Sequence, residues 1–381
     1  MLNSTPLRLS RSHVAIACAL LCSLAAAGWQ ATVAHFDYSG NWTAFYRTSS
    51  RLPIPAQQNL YRFPDSDGYD GQFYHLIAQD PLFLHGAAGY IDAPRLRYRR
   101  ILLPALAWLA AFGKPAVATY TYIAAVILFL GLGAYWLSGY ATLAGRSAWW
   151  GLAFFFVPAA FLSLDRLTVD IALAALTVAF GLYWRAGPLW KLYLVLLFAP
   201  LAKETGLLLL AAYCLYALFQ RQWSRAAAMA TAGLPTAVWW LYVQRHTPDY
   251  PAAWLRIPFQ AAVEAMLHPE HYHLRKFWIM PLEYLAWAGL ILAIAMAIAR
   301  CTKDNPLCLA AFFFAVLAAV INFSVWEEVE AFGRVFTPLF LLLPLARPNR
   351  WSLIPMLALL PRASTYPISE TLSAMRAFLP H

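Results

Sequence analysis

Charge is scarce in these 381 residues: Asp, Glu, Lys and Arg make up only 12%, against about a quarter in soluble domains, which excludes a water-soluble globule. Cysteine is sparse too. Cys18, Cys22, Cys214, Cys301 and Cys308 form no CxxC pair and lie in or beside apolar runs, which argues against a disulfide framework or a zinc site. No GxSxG elbow, Walker loop, dinucleotide fingerprint or HExxH helix occurs, so the chemistries those motifs carry are not expected. The 28 Lys and Arg outnumber the 18 Asp and Glu, but no basic stretch is interleaved with exposed aromatics on a soluble module. Nucleic acid is therefore not the expected partner.

What is abundant is hydrocarbon. Hydrophobic residues are 61% of the chain, arranged in runs near the roughly 20 residues that a bilayer crossing needs. The expected fold is an all-α polytopic membrane protein of about ten spans, one membrane domain over residues 1–381. The first run, Val14 to Ala34, follows Arg8 and Arg11. Cleavage after Ala27 would make it a signal peptide, but its continuation through Gly28 and Trp29 favours a retained helix. Leu21 before Cys22 stands where a lipoprotein signal needs a small residue. Residues 35–116 form a long non-cytoplasmic loop too polar for lipid. Within it Ile101 to Gly113 is too short to span and contains Pro104, so it reads as interfacial or re-entrant. Residues 117–346 hold the remaining spans, and 347–381 a short apolar segment (Trp351 to Leu360, span or interfacial helix) and a tail.

Basic residues near span ends favour the cytoplasm. With the N-terminus inside and Ile101 to Gly113 not crossing, every inside loop is basic: Arg146; Arg185 and Lys191; Arg221 and Arg225; Arg300 and Lys303; Arg347 and Arg350. The outside turns are SLDRLTVD (Ser163 to Asp170), LAKETG (Leu201 to Gly206) and WEEVEAFGR (Trp326 to Arg334). They gather Asp165, Arg166, Asp170, Lys203, Glu204, Glu327, Glu328, Glu330 and Arg334 on one face. Charges at membrane depth are expensive and often functional, though at span ends they also simply meet water or each other. The expected location is the cytoplasmic (inner) membrane, with the elaborated face outside.

The sharpest local signal is YDGQFYHLIAQDP, Tyr69 to Pro81. Gly71 breaks the loop, and Gln72, His75 and Gln79 recur at helical spacing opposite Phe73, Leu76 and Ile77, predicting a helix on the membrane surface. Asp70 at its start is either an N-cap or a reactive carboxylate. The preceding DSDGYDG fails the EF-hand pattern, which needs Gly at Asp70 and Glu at Leu76. Asp65, Asp67 and Asp70 leave a divalent metal open, and no other cofactor is expected. RLRYRR, Arg95 to Arg100, suits anionic lipid headgroups or a lipid-linked phosphate through forked guanidinium bonds. HPEHYH (His268, Glu270, His271, His273) matches no zinc spacing.

Taken in order, these motifs resemble the GT-C superfamily of membrane glycosyltransferases, and within it the bacterial relatives of the GPI-anchor second mannosyltransferase. YDGQFYHLIA, with Gly71 and Tyr74 after Asp70, resembles the family's aromatic-Asp-Gly segment in the first outer loop. RRILLPALAW is similar to its interfacial segment, VPAAFLSLDRLTVDIAL to its Pro-Ala-Ser turn, LAKETGLLLL to its Thr-Arg-Pro-Thr-Gly-Leu segment and FGRVFTPLFLLLPL to its Arg-x-x-x-Pro-x-x-Pro-Leu stretch. Tyr69 replaces the common Trp, and Asp165 to Asp170 replaces Tyr-Ser-Glu. The resemblance implies transfer of a sugar, such as a mannose-like hexose, from a polyprenyl-phosphate donor to an acceptor hydroxyl at the outer face, with inversion. Asp70 would then be the base, and Lys203, Arg334 and Arg99 or Arg100 would bind the donor phosphate. Glu204, Asp165, Asp170 and Glu327 are further site candidates. The competing readings are a lipid-linked sugar transporter or flippase, and a non-catalytic membrane protein of the same build.

Overall fold

The computed structural model describes residues 5–55, 60–249, 256–268, 279–327 and 329–376, apart from the side chains of 5–11 and 366, and its regular elements are nearly all helices. The first apolar run is α1 (Thr5–Asp37). The loop after it holds a 3-10 turn at Trp42–Tyr46 and two short parallel strands, β1 (Thr48–Ser49) and β2 (Arg62–Phe63). Three short helices follow: α2 (Asp70–Gln79), α3 (Pro94–Arg99) and α4 (Leu102–Ala110). Then come α5 (Pro115–Leu143), a 3-10 helix at Ala148–Phe156, α6 (Pro158–Arg166), α7 (Asp170–Ala186), α8 (Leu189–Ala202), α9 (Leu207–Phe219), α10 (Trp223–Ala230) and α11 (Leu234–His246). The chain ends with α12 (Gln260–Leu267), α13 (Ile279–Ala299), α14 (Pro306–Val320), α15 (Phe323–Trp326), α16 (Val329–Val335), α17 (Thr337–Ala346), α18 (Ile354–Ala363) and α19 (Thr365–Arg376).

Proline sets several of these starts. Pro115, Pro158 and Pro306 sit in the first turns of α5, α6 and α14, where a missing N–H costs nothing. Among the described residues four helices are long and apolar enough to cross a membrane: Ser12–Asp37, Pro115–Leu143, Trp223–His246 and Ile279–Ala299. The number rises to six when each bent pair counts as one, the 3-10 helix with α6 at 54° and α16 with α17 at 45°. This is the architecture of a helical membrane protein. At its centre lies α7, whose residues from Asp170 to Gly181 are all buried, as expected of a helix apolar on every face.

Contacts between helices give the bundle two distinct ends. At one end Gln30 donates to the Leu164 carbonyl, Tyr46 to Thr119 and Tyr122 to Leu167. At the other, Tyr140 and Arg185 donate to the Leu345 carbonyl, Arg300 to Ser352 and Asn305 to the Ala346 carbonyl. The charged turns carrying Asp165, Asp170, Lys203 and Arg334 lie at the first end, while Arg146, Arg185, Arg300 and Arg350 lie at the second. Ile101 to Gly113 contributes only the nine residues of α4, about 14 Å against a hydrocarbon core of about 30 Å. It stays at the first end, where Thr121 of α5 donates to the Ala107 carbonyl. The Trp351 to Leu360 segment behaves differently, because Ser352 meets Arg300 at the second end and Arg362 meets Glu330 at the first.

One expectation changes. α2 does not lie on a surface: residues Gly71 to Ala78 are all buried. Its polar positions find protein partners instead of water. Gln72 accepts from the Ser49 amide and donates to the Asp67 carbonyl, and His75 bonds Thr119 while stacking on Tyr46. Burial holds the His75 imidazole neutral, pushed down to about 3.

Candidate functional site

The turn before α2 is pinned from both sides. The extended Tyr69 donates its amide to the Arg47 carbonyl at 3.0 Å, and its ring lies under the Arg166 guanidinium at 4.4 Å. Gly71 packs so closely on the Arg166 carbonyl that a Cβ has no room. Gly71→Ala should therefore displace the start of α2 and cost about 1–3 kcal/mol, the usual range for overpacking. Thermal unfolding in detergent beside a Gly89→Ala control, whose Cβ meets open space, measures it.

That turn fixes Asp70 as the first residue of α2. The N-cap is Tyr69, and the Asp70 carboxylate goes to two guanidiniums, Arg97 Nη1 at 2.8 Å and Arg334 Nη2 at 2.6 Å. Burial works to raise this carboxyl, but Arg334, Arg97 and Arg100 outweigh it and hold the group well below the usual carboxylate range.

Each arginine is held in turn. Arg97, on α3, forks onto Asp92 at 2.9 and 2.8 Å and lies over the Phe73 ring. Arg334, on α16, reaches Asp170 at 3.1 Å, and its buried Nε has no hydrogen-bond partner among the described residues. Asp170, at the start of α7, also takes the Lys203 ammonium at 2.5 Å. Lys203 is extended as it leaves α8. The next residue, Glu204, forks onto Arg100 at 2.8 and 2.6 Å, and Arg100 also donates to the Tyr74 hydroxyl at 2.9 Å, one turn along α2 from Asp70.

Four cations, Arg97, Arg100, Lys203 and Arg334, thus share three carboxylates, Asp70, Asp170 and Glu204, with Asp92 at the rim. Exposure gives the cluster a direction. Glu204 and Asp70 keep 25% and 16% of their side chains accessible, whereas Lys203 and Asp170 keep 3% and 2%. Asp170 and Lys203 are the floor, and Asp70 and Glu204 are the approachable groups. With Asp92 counted the charges balance, so an anionic ligand has to displace a carboxylate partner, and forked guanidiniums suit phosphate.

The structure therefore brings together Asp70, Gly71, Tyr74, Arg100, Asp170, Lys203, Glu204 and Arg334. Arg99 is elsewhere, over the Trp240 ring at 4.8 Å, so Arg100 is the member of the pair that enters the cluster. Glu327 closes α15, where its amide donates to the Phe323 carbonyl at 3.0 Å. Glu270, His271, His273 and Glu328 lie outside the described residues. Among the described residues no group of three or more His, Cys, Asp or Glu converges as metal ligands would; Asp67 pairs with Arg51.

Asp165 belongs to a second cluster. It meets Arg47 at 2.5 Å and Arg166 at 3.1 Å, and Arg47 also pairs with Glu370 of α19, which accepts from Tyr38 at 3.2 Å. Burial and the neighbouring Asp165 push the Glu370 carboxyl well above its ordinary range, against the pull of Arg47. The folded state then holds a proton that the unfolded state releases near pH 4.5, so stability falls as pH rises from there toward the raised folded value. Protection factors for hydrogen exchange in α19, which correct for the intrinsic pH dependence of exchange, should be higher at about pH 5.5 than at about pH 8.5, and Glu370→Gln should flatten the difference. Equal protection at both values in the unmodified protein would refute the assignment.

Sequence reasoning had Arg97 only as part of RLRYRR and Glu330 only as part of the third outside turn, and it did not single out Asp92, Arg47, Glu370 or the partners of Glu330 in a buried triad, Arg362 and Glu283, at 2.7 Å each. The advance signal for Arg97 was the RLRYRR run itself, and nothing in it separates Arg97, in the last turn of α3, from its neighbouring arginines. Comparison with family models, curated proteins and solved structures gives no match.

Proposed function

We propose that this chain is a membrane glycosyltransferase that moves a sugar from a polyprenyl-phosphate donor to an acceptor hydroxyl at the outer membrane-water boundary, with Asp70 as the base. The observation that carries the reading is the placing of Asp70 on the loop helix α2, among cations delivered by α3, the α8–α9 turn and α16. In this reading the six candidate spans, the shorter apolar helices Leu189–Ala202, Glu204–Phe219 and Pro306–Val320, and α7 are ten crossings, and the α18 segment is an eleventh. α18 then returns the chain to the outer side. The basic end faces the cytoplasm, and the exposed Trp149, Trp150, Trp190, Trp223 and Trp351 there mark the interface.

The pairing of Asp70 sets the order of events. A carboxylate bonded to two guanidiniums is a weak base, so donor binding has to come first. The donor phosphate competes for Arg334, whose Nε has no partner among the described residues, and for Arg100. As guanidinium charge turns toward phosphate, Asp70 regains basicity and takes the acceptor's proton. The acceptor oxygen bonds the anomeric carbon while the bond to phosphate oxygen breaks, and the leaving phosphate keeps the electron pair. Lys203, Arg100 and Arg334 stabilise its growing charge. No acid partner is needed, because phosphate leaves as a weak base.

The test is hexose transfer from labelled polyprenyl-phosphate hexoses onto envelope lipids and glycans in membranes with and without the chain. Mass spectrometry of the products names sugar and acceptor. Labelled donor that crosses the bilayer without transfer would replace this reading with a lipid-linked sugar transporter.

A further inference from the structure

A large apolar cavity lies far from Asp70. It has a volume of about 360 Å³ and lies at the opposite end of the bundle, between the 3-10 helix Ala148–Phe156 and α17–α18. The 54° bend between that 3-10 helix and α6 opens it: α6 packs on α18, while the 3-10 helix swings away and leaves a gap. The walls are hydrocarbon, with Leu137, Phe156, Leu341 and Leu357 among them. Two cations, Arg146 and Arg350, line the same cavity. Both are exposed, and neither meets a carboxylate among the described residues. Arg350 lies over the Trp351 ring at 5.0 Å, and the half-exposed Trp150 stands in the cavity wall. Both indoles are of the kind that sits at headgroup level.

We propose that this cavity is a binding site for an anionic diacyl phospholipid, its phosphate held by Arg146 and Arg350 and an acyl chain lying against α5, α17 and α18. Charge complementarity selects the occupant. A wall of hydrocarbon accepts any lipid tail, but two uncompensated guanidiniums at the membrane surface discriminate among headgroups, and in the orientation proposed above this is a basic pocket between helices on the cytoplasmic side, of the kind that suits anionic ones. The site is separate from the Asp70 cluster and does not depend on the chemistry proposed there.

The test is native mass spectrometry of the full chain, delipidated in detergent and given phosphatidylglycerol, phosphatidylcholine or polyprenyl phosphate. Phosphatidylglycerol should be retained about thirty-fold better than phosphatidylcholine, the factor expected from two surface arginines. The double variant R146Q/R350Q should bring the two to parity, and R146K/R350K should keep the preference. Ala153→Trp, which fills the cavity from the 3-10 helix, should weaken retention of both phospholipids. Equal retention by the unmodified protein, a preference that survives R146Q/R350Q, or preferential retention of polyprenyl phosphate would each overturn the proposal.

Discussion

Asp70→Asn is expected to lower sugar transfer by about 10²–10⁴-fold, the contribution of a positioned general base, while leaving donor binding intact or tighter. The sign of the binding effect follows from the cluster's charges. The Asp70 carboxylate neutralises Arg97 and Arg334, so the amide leaves those guanidiniums more available to phosphate. A residue that merely held the cluster together would act otherwise, because its loss would scatter the arginines and weaken donor binding along with transfer. Donor affinity by microscale thermophoresis, beside transfer rates under saturating donor, separates the two. Unchanged transfer would remove Asp70 from the mechanism.

The same cluster shows which information a sequence carries. The grouping of the short loops was legible, since Arg146, Arg185, Arg300 and Arg350 share one end of the bundle and the turns carrying Asp165, Asp170, Lys203 and Arg334 share the other, and Tyr69, Asp70 and Gly71 stood out as a turn followed by helical spacing. Pairing was not legible. Asp70 and Arg334 are far apart in the chain, and nothing local to either announces the other. Arg99 and Arg100 are adjacent and chemically alike. Only the end of α3, which places Arg100 after the last helical turn, sends one to Glu204 and the other to Trp240. Apolar runs were also clearer than their shapes. The stretch from Ala148 to Leu164 reads as one span, yet Pro158 divides it into a 3-10 helix and a bent α helix, because proline starts a helix more readily than it continues one. The surface placing of α2 failed for a related reason: the polar face of Gln72 and His75 looks solvated until Ser49 and Thr119, on distant segments, supply its partners.

Arg362→Leu should be the most destabilising of these changes, by about 3–5 kcal/mol, the range for removing one partner from a buried ion pair. Arg362 pairs with Glu283 of α13, its Nε 2.7 Å from Oε2, and donates through Nη1 to Glu330 of α16, and both carboxylates are fully buried. Without the guanidinium, two carboxyl groups face each other in an apolar interior. Glu330→Gln should cost far less. Its amide oxygen still accepts from Arg362, and its NH₂ takes the place of an oxygen, Oε2, that has no hydrogen-bond partner among the described residues. The triple variant R362L/E283Q/E330Q should recover part of the loss, since it leaves no unpaired charge buried. Thermal unfolding of the purified protein in one detergent ranks the three variants, and an Arg362→Leu protein as stable as Glu330→Gln would refute the account. The consequence reaches the site through α16. Glu330 and Arg334 stand one helical turn apart on it, so the triad anchors the helix that presents Arg334 to Asp70 and Asp170. Any Arg362→Leu protein that still folds should therefore bind donor more weakly than Glu330→Gln.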